Sequence, residues 1–188
     1  MASGDRGHDL GMNEFALDLD RIRAQAREQI EAGPVTGAYG VDTKRVIDVL
    51  NEVLATELVC VLRYKRHYYT AQGVHGPTIA AEFLEHANDE QRHADLAAER
   101  ISQLGGDPDF NPRVLAERSH TEYDASTGLA EMLREDLVAE RIAIATYTEI
   151  ARWLGEADPT TRRVIEQLLA EEEEHADDLR NLLARIDT

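Results

Sequence analysis

Two copies of the pattern Glu-x-x-His, Glu90 with His93 and Glu172 with His175, stand out as residues able to do chemistry. Each follows a further glutamate, Glu57 by 33 residues and Glu140 by 32, and each of those is followed seven positions on by a tyrosine, Tyr64 and Tyr147. Glu and His at i, i+3 share one face of a helix. The chain so reads twice as Glu, Tyr, Glu-x-x-His, and two such halves supply four carboxylates and two imidazoles. Four carboxylates neutralise two divalent cations, and neutral imidazoles add ligands without charge. Oxygen and imidazole donors suit iron or manganese better than a thiol-preferring metal, with zinc a further fit.

Such residues need elements that hold them at one level. Four segments, about 42–72, 77–104, 127–154 and 160–186, carry apolar residues at alternating three and four spacing with no proline inside, the mark of amphipathic helices. Their inward stripes read Val46, Leu50, Val53, Glu57, Val61, Tyr64, Tyr68; Ile79, Phe83, His86, Glu90, His93, Ala97, Leu104; Leu129, Leu133, Asp136, Glu140, Ile144, Tyr147, Leu154; and Val164, Leu168, Glu172, His175, Leu179, Leu182, Ile186. The glutamates sit at the centres of these stripes. An ionised carboxylate in an apolar core is costly unless paired or bound to metal, and no Lys or Arg is expected on the inward stripes beside them. One Glu-x-x-His on a charged helix is usually solvated face, and EEEEHADD (171–178) alone reads that way. Two copies at matched distance, each behind an inward glutamate, do not.

The remaining candidates take lesser roles. The stripe from Leu168 selects Glu172 as ligand, with Glu171 the alternate. Asp136, one turn before Glu140, is placed to orient a ligand histidine through its free ring N–H. Tyr64 and Tyr147 are either hydrogen-bond partners of ligand carboxylates, oxidisable residues, or plain core. His86 is expected to be a satisfied core histidine. Glu85 and Asp89 lie on an adjoining face, solvated or, in a hollow shell, facing inward to collect iron. His67, His75 and His120 are expected at the surface or in loops, Cys60 as a small buried hydrophobe, and Trp153 as packing at a hairpin end.

The connections set the topology. AQGVHG (71–76) and GEADPT (155–160) are short enough for helical hairpins; 105–128 is long, holds Pro108 and Pro112, and can run the length of a bundle. The third helix is expected to start at the end where the first starts, and NPRVLAERS to form a short helix in the crossover. Residues 1–11 read as a loose tail, Asn13–Glu31 as an accessory amphipathic helix on Phe15, Leu19, Ile22, Ala26 and Ile30, and 33–40 as a linker. The expected division is 1–40 tail and accessory helix, 41–188 bundle.

At 188 residues and 21.0 kDa the chain is one domain with an appendage. Twenty Lys and Arg against 37 Asp and Glu leave a net charge of −17. That balance argues against nucleic acid and against an anionic membrane surface as partners. No apolar run reaches the roughly 18 residues of a membrane span, and MASGDRGHDL lacks a signal peptide's apolar segment. The single Cys60 excludes an intrachain disulfide and a cysteine-ligated cluster. A cytoplasmic location is expected.

The segments NEVLATELVCVLRYKRHYY, FLEHANDEQRHAD, DLVAERIAIATY and LLAEEEEHADDL resemble the four helices of bacterioferritin-type ferritin-like proteins, over about residues 42–186. The resemblance implies an all-α ferritin-like four-helix bundle with a long crossover between helices two and three. It implies an intrasubunit ferroxidase centre of two iron ions on Glu57, Glu90, His93, Glu140, Glu172 and His175, with Glu90 and Glu172 bridging and Tyr64 beside it. Gln91 stands where bacterioferritins carry a haem-ligating methionine, so haem is not expected. The chain ends 13 residues past His175, without the fifth helix that lines the fourfold axis of a twenty-four-subunit cage. This is similar to Dps-like ferritins with bacterioferritin-type sites, which implies a homo-oligomeric shell of twelve. Some of those carry a cysteine pair near the centre, which a lone Cys60 cannot supply. The implied function is ferroxidase and iron storage or detoxification, oxidising Fe2+ with dioxygen or peroxide. The alternative is a non-cage di-metal oxidoreductase such as a rubrerythrin-like peroxidase, against which Ala143 stands where rubrerythrins use an extra glutamate.

Overall fold

The structure, a computed structural model, describes residues 16–73 and 75–186. The expectations for the 1–11 tail and for Phe15 lie outside these residues. The chain divides into two compact units, one ending at Gly37 and the other running from Ala38.

In the first unit, α1 spans Leu19–Glu28 and a 3-10 turn spans Ile30–Ala32. Asp18 caps α1, its side chain accepting from the Arg21 N–H at 3.0 Å. Leu19, Ile22 and Ile30 are exposed.

The second unit contains α2 (Thr43–Thr70), α3 (Gly76–Gln103), the short α4 (Leu115–Arg118), α5 (Leu129–Leu154) and α6 (Pro159–Ile186). The four long helices fall within two residues of the bounds that periodicity gives, because caps and breakers punctuate them. Asp42 caps α2 by accepting from the Lys44 N–H. Pro77 occupies the first turn of α3, and Asp158 caps α6 just before Pro159. Gly155, at φ 49°, adopts at the end of α5 a conformation that few other residues reach. No described helix is long and apolar enough to cross a membrane, and no strand occurs among the described residues.

Helices α2 and α3 form one antiparallel hairpin and α5 and α6 the other. The crossover runs along α2. Asn51 accepts from the Asp109 N–H at 2.8 Å, Thr56 accepts from the His120 N–H at 2.9 Å, and Arg63 and Arg66 donate to the carbonyls of Glu122 and Ser126 at 3.0 and 2.7 Å. These contacts climb α2 from its start to its end. Helix α5 therefore begins beside the C-terminal end of α2, which corrects the expectation that it starts where the first helix starts. A crossover spanning the bundle reverses the end at which the next helix must begin. Leu115 of α4 packs on Ala55 and Val59.

The inward stripes are mostly buried as their spacing requires, with Tyr68, Leu129, Ile144 and Ile186 half-buried. In α6 Ile165 is fully buried and Val164 half-buried, a shift of one position. Trp153 is 45% exposed, and Leu154 takes the hairpin-end position expected of it. One apolar cluster joins Cys60, Tyr64, Ile79, Phe83, Met132 and Leu179 at one end of the bundle; Leu50, Val53, Ala97, Ile101, Ile165 and Leu168 are buried toward the other. The ionisable residues lie between.

The linker contributes an unforeseen contact. Tyr39 donates to Asp158, and Arg100 reaches Tyr39 Oη at 3.1 Å, Asp158 at 3.3 Å and Thr161 Oγ1 at 2.8 Å. Gly40 lies so close to Ala157 that a Cβ there would come within 2.9 Å of the alanine methyl.

Candidate metal centre

Glu57, Glu90, His93, Glu140, Glu172 and His175 meet at mid-height of α2, α3, α5 and α6, and none is more than 4% exposed. Their donor atoms fall into two groups, each within a 4.8 Å span: Glu57, Glu90, His93 and Glu172, and Glu90, Glu140, Glu172 and His175. Glu90 and Glu172 belong to both. His93 Nδ1 lies 3.6 Å from Glu57, 3.3 Å from Glu90 and 3.2 Å from Glu172. His175 Nδ1 lies 3.5 Å from Glu90 and 3.4 Å from Glu172. Both carboxylate oxygens of Glu90 and of Glu172, and Nδ1 of both histidines, are buried and make no hydrogen bond. Buried polar atoms are normally satisfied. Six that converge unsatisfied fit a pair of cations.

The tyrosines cross between the halves. Tyr64 donates to Glu140 and Tyr147 to Glu57, so each phenol holds the unshared glutamate of the opposite half. The antiparallel pairing of α2 and α5 turns a repeated spacing of seven into two reciprocal bonds. Burial, reinforced by the adjacent carboxylates, pushes both phenols up and keeps them protonated donors.

The outer ring nitrogens find carboxylates too. His93 Nε2 lies 2.9 Å from Glu171, and His175 Nε2 lies 3.5 Å from Asp89. The residue before each motif glutamate thus backs the histidine of the opposite helix, and Arg92 pairs with both Asp89 and Glu171. Such partners fix tautomer and ring orientation in metal sites. Glu171, the expected alternate ligand, takes this backing place. Asp136, expected to orient a ligand histidine, does not: it is fully buried and pairs with Arg63 Nε at 2.9 Å and His67 Nδ1 at 2.8 Å. His67, expected at the surface, is fully buried, and Arg63, 1% exposed, is the inward cation that was not expected. Both lie off the apolar stripe of α2; an unpaired Asp136 on the facing stripe was the signal that could have located them. Arg63→Ala should lower stability by about 3–5 kcal/mol because it leaves the buried Asp136 with His67 alone against its charge. Adding Asp136→Asn should recover part of that in chemical denaturation. A loss below about 1 kcal/mol would contradict the pairing.

The remaining expectations divide. His86 is 2% exposed and stacks on His175 with ring centroids 4.1 Å apart, but its Nδ1 has no partner, so it is not a satisfied core histidine. Burial, helped by His175, holds it down to about 3 and leaves it neutral. Glu85 and His75 are exposed and Asp89 is half-buried. His120 sits in the crossover with Nδ1 3.0 Å from Thr56 Oγ1. Cys60 is buried, with Arg63 3.5 Å and Thr121 3.6 Å from its sulfur.

Burial and mutual charge shift the ionisation of the cluster. Burial, then the charges of Glu172 and Glu90, raises Glu57 and Glu140 well above the ordinary carboxylate range. Burial opposes charging the histidines, but the surrounding carboxylates prevail. They raise His93 far above its ordinary value and His175 to about 11. Glu90 is driven up by burial but held well below its usual range by His175 and His93.

A family model for the ferritin-like domain matches residues 47–188. A dodecameric thioferritin, the bacterioferritin-related protein of Bacteroides fragilis, superposes with a TM-score of 0.76 at 35% identity, over 79% of this chain and 89% of that one. The bacterioferritin of Desulfovibrio desulfuricans, whose diiron site has been seen in different catalytic states, gives 0.69 at 27% identity over 77% and 81%. A nutrient stress-induced DNA-binding protein of Synechococcus is 29% identical over 163 residues, 85% of this chain and 92% of its own. That match covers all but the first turn of the bundle, and the chain belongs to the ferritin-like family.

Proposed function

We propose that the chain is a ferroxidase that stores or detoxifies iron in a homo-oligomeric shell, taking Fe2+ as substrate and dioxygen or peroxide as oxidant. The observation that carries this is the convergence of six unsatisfied buried atoms from the two Glu-x-x-His motifs. Glu57 and His93 would hold one cation and Glu140 and His175 the other, with Glu90 and Glu172 shared. Two ferrous ions held side by side supply two electrons to one oxidant. The chain's own residues prepare that place. Glu171 and Asp89 draw the ring N–H of each histidine outward and leave the Nδ1 lone pair inward. Tyr64 and Tyr147 keep Glu140 and Glu57 turned toward the shared pair. The net charge of −17 raises the local concentration of cations around the protein.

Loading must displace protons. His93, His175, Glu57 and Glu140 are all raised, so each holds its proton to higher pH than the free side chain does. A group with a raised pKa gives up its proton more easily as pH rises. Affinity for a divalent cation should therefore climb with pH and fall on acidification. Calorimetry in buffers of different ionisation enthalpy should show release of more than one proton per chain. Release of none would contradict the described protonation.

The function itself is tested by anaerobic Fe2+ loading followed by air, with native mass. Ferric absorbance, oxygen uptake and a mass of hundreds of kilodaltons are expected, with twelve subunits favoured over twenty-four by the dodecameric relative. A small assembly that turns over peroxide without storing iron would favour the non-cage peroxidase. One relative is named for DNA binding; here the acidic charge predicts no retardation of duplex DNA in a gel at moderate salt. We further place the protein in the cytoplasm, bundle domain and N-terminal appendage together.

A further inference from the structure

Beside the six-residue centre, between α3 and α6, lies a cavity of about 450 Å³ with Glu82, Glu85, His86 and Asp178 among its walls. Acidic walls alone are an ordinary solvated surface. His86 makes this one different. It is only 2% exposed, its Nδ1 has no hydrogen-bond partner, and its Nε2 lies 3.7 Å from Glu82 Oε1. One ligand atom each from Glu82, His86 and Asp178 fall within 4.8 Å of one another. Glu82 and His86 stand at i, i+4 on one face of α3. Asp178 comes from the facing turn of α6, three residues past His175. Stacking on His175 fixes the plane of the His86 ring and so the direction of its nitrogens.

We propose that Glu82, His86 and Asp178 form a third divalent-cation site, one helical turn out from the di-metal centre and sharing no ligand with it. Two carboxylates neutralise one divalent cation, and a neutral imidazole completes a three-ligand set. The open cavity leaves the remaining positions to water. Oxygen donors with one imidazole suit Mn2+, Fe2+, Co2+ or Zn2+. Because the side facing the cavity is wet, this cation exchanges faster and binds more weakly than those of the enclosed centre.

The test uses the full chain, freed of metal and dialysed against Co2+, with cobalt counted per chain and located by anomalous scattering in crystals. Three cobalt ions are expected, the third weaker. Glu82→Gln with Asp178→Asn changes two half-buried side chains without altering their size, so the fold should persist. That variant should weaken the third site by at least roughly tenfold, while the visible cobalt spectrum of the first two is unchanged. Saturation of the wild type at two, or a double variant that still binds three, would overturn the proposal and leave the di-metal reading standing. The reverse result, one cobalt at Glu82, His86 and Asp178 and none among the six central residues, would support this site and sink the function proposed above. His86, Glu140 and His175 also lie within 4.8 Å. Cobalt held by His86 on that inner side, unaffected by the double variant, would equally overturn the outer site.

Discussion

In the Glu140→Gln variant, the initial rate of Fe2+ oxidation is expected to fall by more than about 100-fold, while the metal-free bundle keeps its thermal midpoint within a few degrees. Losing a partner behind a metal ligand typically costs about 10–100-fold, and loss of an anionic ligand should exceed that. Stability should hold because burial, then the charges of Glu172 and Glu90, already disfavour an ionised Glu140. The amide retains its shape and an oxygen to accept from Tyr64. Alanine is the poorer choice. It would strand the buried Tyr64 hydroxyl, at about 1–3 kcal/mol, and open a cavity beside it. Stopped-flow ferric absorbance and calorimetry on the same sample check both halves. An undiminished rate would remove Glu140 from the centre.

Saturating both sites of the metal-free protein with Co2+ or Zn2+ is expected to raise its thermal midpoint by about 15–30 °C. A cation present at about 1,000 times its dissociation constant adds about 4 kcal/mol per site, and about 1 kcal/mol moves the midpoint of a chain this size by roughly 2–4 °C. The physical source is the mutual repulsion of buried carboxyl groups that a bound cation would relieve. Four carboxyl groups are crowded into the core, and both oxygens of Glu90 and of Glu172 make no hydrogen bond. A chelator should reverse the shift, and Glu140→Gln should reduce it to about half. Equal midpoints with and without metal would mean that these groups find their partners elsewhere.

The four long helices were legible in the sequence because their stripes repeat at the helix period and their ends carry Asp42, Pro77, Gly155 and Pro159. The six central residues were legible for a related reason. An acid in the middle of an apolar stripe contradicts its surroundings, and two matched contradictions point to one compensating partner. The resemblance to bacterioferritin-type proteins rests on the same residues, and the family match agrees with it.

The partners of those residues were not legible. Asp136 and Glu171 look interchangeable as supports for a histidine, yet Glu171 reaches His93 while Asp136 is claimed by Arg63 and His67. Tyr39 gave no hint that it would seal Asp158 and Arg100 at the far end of the bundle. His86 read as ordinary core until the fold left one of its nitrogens bare.

Sequence alone determined which residues share a face and which acids lie too deep to be left uncompensated, because helical periodicity is a local property of the chain. The tertiary structure decided which carboxylate meets which nitrogen. That depends on the direction of α5 against α2 and on the axial register of facing helices, where one residue's displacement of about 1.5 Å separates a hydrogen bond from none.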